Sequence, residues 1–273
     1  MIRNFPTAIN HFILITGLAV MIVPVWIIFA SSTHTSLFIN TNGLQFFLGD
    51  SFLDNYSRVL YKKSGFFNEI TALKMFLNSF IMATGIATLS VVTSLMAAYA
   101  LVYFRIKYAS LFFWLIFITL LVPLELRIMP SYLVMSKLGL VNSYIGLILP
   151  ISASAIATFF FRQFYKSIPE ELLEAAKLDG TGSWKFFIDF LIPLSKTMIA
   201  AVFIFMFVFG YNQYLWPLIM TTTEQYWTVV MGLKTMYGSI SDRFAFVIMS
   251  MVPPIIIIIF LQRWFIQGIF QNK

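Results

Sequence analysis

Residues able to do covalent or metal chemistry are few in this chain, and they lie far apart. The 273 residues include no cysteine and two histidines, His11 and His34. Thiol chemistry, disulfides and cysteine metal sites are therefore excluded, and two histidines cannot build a multi-histidine metal centre within this chain. The sequence has no His-Glu-x-x-His run and no Gly-x-x-x-x-Gly-Lys-Ser/Thr phosphate loop. The serines inside apolar segments have no histidine in the same segment to act as base, as a serine nucleophile needs. What remains is hydrogen-bonding and charged chemistry near the ends of apolar runs. Asn212 and Gln213, flanked by Tyr214 and Trp216, offer amide groups beside aromatic faces, a combination suited to a polyol or sugar. Arg127 offers a guanidinium that binds phosphate in bidentate fashion. Each has a plainer role: helix–helix hydrogen bonding for the amides and snorkelling to the interface for Arg127.

The elements that must position these groups are apolar. Sixty per cent of residues are hydrophobic and 11% are charged, against about 25% charged in a soluble domain. Mean hydropathy is +0.87. Six apolar segments stand out, roughly 12–30, 75–101, 110–129, 141–161, 197–219 and 244–262. Each reaches the roughly 20 residues that cross a bilayer. The expected fold is an all-α integral membrane domain of six transmembrane helices occupying residues 1–273. The first segment is read as a retained helix, because it exceeds the 7–15 residues typical of a signal-peptide core. Pro123 and Pro150 are expected to kink their helices. Asn78, Ser79, Thr84, Thr88, Ser152, Ser154 and Thr158 read as packing positions.

The net charge of +7 is read as topology, not nucleic-acid binding, since no nucleic-acid motif accompanies it. With the N-terminus inside, ten of the eighteen basic residues fall inside: Arg3, Arg105, Lys107, Arg162, Lys166, Lys177, Lys185, Lys196, Arg263 and Lys273. Positive-inside bias then places both termini in the cytoplasm. Trp26, Tyr99, Tyr103, Trp114, Tyr214, Trp216 and Trp264 suit interfacial belts.

The longest inside loop, 162–196, reads as folded. Ser167 and Glu170 fit a capping box with Pro169 in the first turn, a helix runs through LLEAAKLD, and Gly180 stops it. Ser183 is expected to cap a second helix on which Trp184, Phe187, Phe190 and Leu191 share a face. The product is a helix–glycine–helix knob joined to two membrane helices. An amphipathic pair lying on the inner membrane surface is the alternative.

The run EELLEAAKLDGTGSWKFFIDFLIPLSK resembles the EAA loop of bacterial ABC-importer permeases of the carbohydrate-uptake type. Glu174, Ala175, Ala176, Gly180 and Pro193 match that pattern in identity and spacing, while Phe190 and Ile192 are apolar replacements. NSF at 78–80, LVPLELRIMP at 121–130, KLGLVNSYIGLILP at 137–150 and YNQYLWPL at 211–218 extend the resemblance over nearly the whole chain. Within the family, LRIMP, ATFFFRQFYKSIPEEL and YNQYLWPL look most like permeases of sn-glycerol-3-phosphate importers. The resemblance implies an inner-membrane, multi-pass permease that is not an enzyme and holds no cofactor. ATP and Mg would be bound by a dimeric partner ATPase. A second permease subunit would complete the pore, and an extracytoplasmic substrate-binding protein would deliver the solute. Glu174, Ala175, Ala176 and Gly180 are carried over as the ATPase-coupling site; the small alanines would allow close approach to a groove. Asn212, Gln213, Tyr214, Trp216 and Arg127 are the pore candidates. A sugar or other polyol stays open as substrate. A secondary transporter is disfavoured because no Asp or Glu lies central to an apolar segment. A scaffold for another membrane protein would also suit an ordered loop.

Overall fold

The computed structural model describes residues 7–61, 70–104, 106–178 and 180–270, with the side chains of residues 7, 8, 175, 177 and 263–270 left aside. Arg3, Arg105 and Lys273, invoked above for topology, lie outside the described residues, as do the side chains of Ala175, Lys177, Arg263 and Trp264. All regular structure among the described residues is helical. In chain order the helices are α1 (Thr7–Ser32), α2 (Ser36–Asn42), α3 (Phe52–Tyr61), α4 (Ala72–Tyr103), α5 (Ala109–Ile118), α6 (Leu124–Lys137), α7 (Tyr144–Ile148), α8 (Ala155–Lys166), α9 (Glu170–Leu178), α10 (Ser183–Phe186), α11 (Ile192–Leu194), α12 (Lys196–Tyr211), α13 (Leu215–Met220), α14 (Val229–Thr235) and α15 (Ile240–Phe270).

Three helices are long and apolar enough to cross a membrane unaided, over Ile9–Ser32, Ala72–Tyr103 and Ile240–Gln262. Three further pairs are long and apolar enough only when their two helices are taken together across a bend: Ala109–Leu121 with Leu124–Lys137, bent by 103°; Tyr144–Ile151 with Ala155–Lys166, bent by 52°; and Ser183–Leu194 with Lys196–Tyr211, bent by 74°. The kinks expected at Pro123 and Pro150 in segments 110–129 and 141–161 are present, as full breaks of the helix. Pro123 stands between α5 and α6, so Glu125 and Arg127 belong to a new helix, not to the end of the old one. Pro150 lies in the short 3₁₀ turn that precedes the second break. Proline lacks the N–H that would continue the helical ladder, and it stands at the first break and just before the second, while α1, α6 and α15 continue through Pro24, Pro130, Pro253 and Pro254. The segment 197–219 is likewise interrupted, since α12 ends at Tyr211 and α13 begins at Leu215.

The chain packs as two compact units, one of residues 1–76 and 232–252, the other of residues 77–231 and 253–273. In the first, Arg58 clamps Asp242 through Nε (3.0 and 3.2 Å) and Nη2 (2.8 Å), and its Nη2 also reaches Asn55 Oδ1 (2.5 Å). Asn55 in turn donates to the carbonyls of Ser32 and His34, both at 2.8 Å. Asp242 sits in the first turn of α15, where a negative charge is favoured by the helix dipole. Gly232 is pressed against Met75 and Phe246.

In the second unit, polar side chains of α4 meet the backbone that the breaks leave without helical partners. Ser90 Oγ donates to the Ser152 carbonyl (2.5 Å), Ser94 Oγ to the Ser154 carbonyl (3.3 Å), and Thr158 Oγ1 to Ser94 Oγ (3.2 Å). Asn78 donates to the carbonyls of Gln225 and Trp227, both at 2.8 Å, and accepts from Tyr144 (2.7 Å); Ser79 Oγ accepts from the Val229 N–H (2.8 Å). These residues therefore bond rather than merely pack. Asn142, at φ 56°, accepts from the N–H groups of Thr222 (2.7 Å) and Thr223 (3.2 Å). Gly146 lets α7 pass the Leu140 carbonyl so closely that a Cβ would collide with that oxygen and with the Met220 methyl. The oxygen belongs to the backbone and cannot swing aside. Gly146→Ala is expected to cost about 1–3 kcal/mol, as overpacking does, and to lower the thermal midpoint of the purified protein by several degrees. A midpoint equal to that of the unmodified protein would refute this packing.

Candidate functional site

Two places in the second unit carry the sequence-singled residues. The first is the loop 162–196. Its opening differs from expectation. Ser167 has helical backbone angles and closes α8, with its hydroxyl donating backward to the Phe164 carbonyl at 2.7 Å. It is not the first half of a capping box; α9 starts after Pro169 with Glu170 and Glu171 in its first turn. The stop is as expected. Gly180 has φ +70°, and the Thr181 N–H reaches back to the Ala176 carbonyl at 3.0 Å. That six-residue return bond over a left-handed glycine satisfies a carbonyl that the helix end would otherwise orphan.

The second helix begins from Gly182, not from a Ser183 cap. A π-helical turn over Phe187–Leu191 then shifts the register. The buried face becomes Phe186, Phe187, Leu191 and Ser195, whereas Trp184 is 62% exposed. This corrects the expected stripe, which assumed uniform α spacing. Three tyrosines seat the knob. Tyr99 Oη donates to the Ser183 carbonyl at 2.7 Å, and its ring lies 4.9 Å from Phe187. Tyr103 Oη donates to the Tyr165 carbonyl at 3.3 Å, and its ring meets those of Phe186 and Tyr165. Ala176 is 3% exposed and lines a small crevice with Tyr99, Tyr103 and Phe186. Its small size serves the loop's own seat, which corrects the expectation that it faces a partner's groove. Glu174 is exposed, and Leu178 is 89% exposed. Glu174, Leu178 and Trp184 are thus part of the knob's outward surface, together with Glu171, Lys185 and Ile188. Sequence reasoning missed Leu178 because a single apolar residue just before a helix stop carries no periodicity.

The second place is a cavity of about 220 Å³ at the two proline breaks. Arg127, Thr119, Ser154, Phe205 and Phe209 are among its lining residues. The N-terminal ends of α6 and α8 both reach it, through Leu124 and Ala155. Ser154 accepts from the Ala157 N–H at 3.1 Å, so α8 is partly capped by its own serine. The cavity thus brings Arg127, two helix N-termini that favour negative charge, and the hydroxyl residues Thr119 and Ser154 into a mostly apolar lining. The structure brings Arg127 to it. The Asn212–Trp216 cluster is not among its lining residues. Trp216 is fully buried, with Nε1 donating to the Leu147 carbonyl at 3.1 Å; the indole anchors α13 to α7 and leaves the list of pore candidates. Gln213 donates to the Phe209 carbonyl at 3.3 Å, closing the end of α12. Asn212 stays exposed, and Tyr214 is half-buried. Phe205 and Phe209 were missed because an all-apolar helix gives no sign of which face meets a cavity.

Broken helices around a cavity that holds Arg127, with a helix–glycine–helix knob beside them, are the marks of the permease subunit of an importer, a transporter component rather than an enzyme. Residues 90–271 match the family described as the inner membrane component of binding-protein-dependent transport systems, and the chain belongs to that family. It is 39% identical to the sn-glycerol-3-phosphate transport system permease protein UgpE of Brucella melitensis biotype 1, covering 99% of this chain and 98% of that one. It is 39% identical to the protein of that name from Agrobacterium fabrum over the full length of both. The Yersinia pestis bv. Antiqua protein is 38% identical, covering 96% and 95%. A chain of a bacterial ABC transporter involved in the import of the acidic polysaccharide alginate shares the fold, with TM-score 0.78, 22% identity and coverage of 95% and 96%.

Tyr99→Phe removes the bond that ties the start of α10 to α4. A neutral hydrogen bond contributes about 0.5–1.5 kcal/mol. Amide exchange over residues 181–187 should therefore quicken by roughly 2- to 13-fold at about 1.4 kcal/mol per decade, with little change in α12. Unchanged exchange at 181–187 would show that Tyr99 does not seat the loop.

Proposed function

We propose that this chain forms half of the translocation pathway of an ATP-driven importer for sn-glycerol-3-phosphate, and that the knob around Glu174–Gly180 takes up the motion of the ATPase. The observation that carries the substrate reading is Arg127 at a cavity where two broken helices present their N-termini. That arrangement supports an anionic headgroup with hydroxyls over a neutral sugar, in the manner of half-helix sites in transporters. The relatives that share 38–39% identity over nearly the whole chain carry sn-glycerol-3-phosphate in their names, which supports the same substrate. In this reading a second permease completes the pore. A pair of ATP-binding subunits holds ATP and Mg below it, and an extracytoplasmic binding protein delivers the solute. The protein crosses the inner membrane six times with both termini in the cytoplasm. Glu174, Leu178 and Trp184 form the contact with the ATPase. Gly180 sets their geometry, while Ala176 fixes the knob to its own seat. Asn212, Gln213 and Tyr214 remain candidates for the path beyond the cavity.

The test is ATP hydrolysis by the reconstituted importer in nanodiscs, stimulated by binding protein loaded with sn-glycerol-3-phosphate. Arg127→Gln should reduce transport of the phosphate by roughly 10- to 100-fold, the worth of a charge-assisted bond of about 1.5–3 kcal/mol. Intact transport in that variant would remove Arg127 from the site. Stimulation by neutral sugars alone would overturn the substrate but leave the class standing.

Gly180 gives a separate test. An ideal Cβ at Gly180 would have nothing within 4 Å, so substitutions there act through the positive φ. Gly180→Asn, which tolerates that conformation, should keep the stimulation. Gly180→Val, branched at Cβ, should lose most of it. Equal activity of both variants would contradict a coupling role for the turn.

A further inference from the structure

The segment after α1 does not rise away from the end of the helix; it folds back along it. The Trp26 indole N–H donates to the Phe46 carbonyl at 2.9 Å. Trp26 lies six residues before the last residue of α1, a distance of about 9 Å at 1.5 Å per residue. Residues 44–48 are therefore level with the last turns of a membrane-spanning helix.

Their backbone is satisfied from inside. Ser31 Oγ accepts from the Gln45 N–H (2.9 Å), Thr33 Oγ1 accepts from the Gly49 N–H (2.7 Å), the Thr33 carbonyl accepts from the Ser51 N–H (2.8 Å), and His34 Nε2 donates to the Phe47 carbonyl (3.0 Å). Only glycine fits at 49, since a Cβ there would meet the His34 ring at 2.6–2.8 Å. A water-exposed loop has no need of so many internal partners. A loop at membrane depth does, because lipid offers its N–H and C=O groups nothing.

The side chains point the other way. Leu44, Phe46, Phe47, Leu48 and Leu53 are 60%, 53%, 80%, 56% and 77% exposed. Asp50 is the one charged residue from Leu37 to Leu53. The residues of α1 from Ile9 to Trp26 are themselves exposed. We infer that residues 44–53 form an interfacial anchor, with Phe46, Phe47, Leu48 and Leu53 seated in the headgroup and upper acyl region of the lipid leaflet beside the end of α1. Its occupant is lipid. Depth, internal backbone satisfaction and a single charge, Asp50, in the whole stretch all suit an interfacial segment. A face built for a soluble partner needs only exposed apolar side chains.

The chain has no cysteine, so single-cysteine spin labels can be placed on the intact protein. Phe47→Cys and Leu53→Cys, with Asn40→Cys as an exposed reference on α2, are labelled in the complete importer in nanodiscs. Collision rates with oxygen, which partitions into lipid, and with nickel ethylenediamine diacetate, which stays in water, are then compared. At positions 47 and 53 oxygen should dominate, and at Asn40 the order should reverse. Strong nickel accessibility at 47 and 53 would overturn the inference in favour of a water-facing loop. Low rates with both reagents would overturn it in favour of burial against a neighbouring subunit.

Discussion

The arrangement of this protein depends on one constraint: at membrane depth every backbone N–H and C=O needs a partner, because the solvent supplies none. Straight helices meet it by themselves. The broken ones do not, and the sequence supplies what they lack. Ser90 and Ser94 sit one turn apart on α4 and donate to the carbonyls of Ser152 and Ser154 at the break before α8. Asn78 and Ser79 serve the stretch 225–229 in the same way. Without these hydroxyls and amides the breaks would cost several kcal/mol per orphaned group, and the cavity they surround could not exist. The polar residues of α4 thus underwrite the openings in the other spans.

A second consequence concerns force. A knob can transmit motion only if it is stiffer than its attachments. Here the turn at Gly180 is closed by the Thr181–Ala176 bond, and the aromatic seat of Tyr99, Tyr103, Phe186 and Phe187 ties the following helix to α4. The π-helical turn at 187–191 places Phe186, Phe187 and Leu191 inward together. Leu178 and Trp184 are the most exposed apolar residues of the loop, at 89% and 62%.

Much of this was legible beforehand, for physical reasons. Long apolar runs define spans because bilayer thickness fixes their length, and the glycine stop of α9 follows from the conformation only glycine adopts readily. Pro123 and Pro150 mark breaks, but the size of a bend depends on packing and not on the proline, so 103° at one and 52° at the other could not be read. Trp216 misled because an indole a few residues after two amides looks like a ligand face, when its N–H had a carbonyl to satisfy inside the fold. Ser167 and Ser183 misled because a capping pattern also fits a serine that closes the previous helix or opens the next. The π turn left no trace in spacing, since five-residue and four-residue returns share most of their apolar positions over so short a run.

The proposed contact between the outward face of the knob and the ATPase can be tested directly. A photoreactive amino acid in place of Leu178, which is 89% exposed, tests it in the assembled importer. The expected result is a crosslink to the ATP-binding subunit whose yield changes between nucleotide-free and ATP-bound states. A crosslink to lipid alone, in a complex that still hydrolyses ATP in response to loaded binding protein, would contradict it.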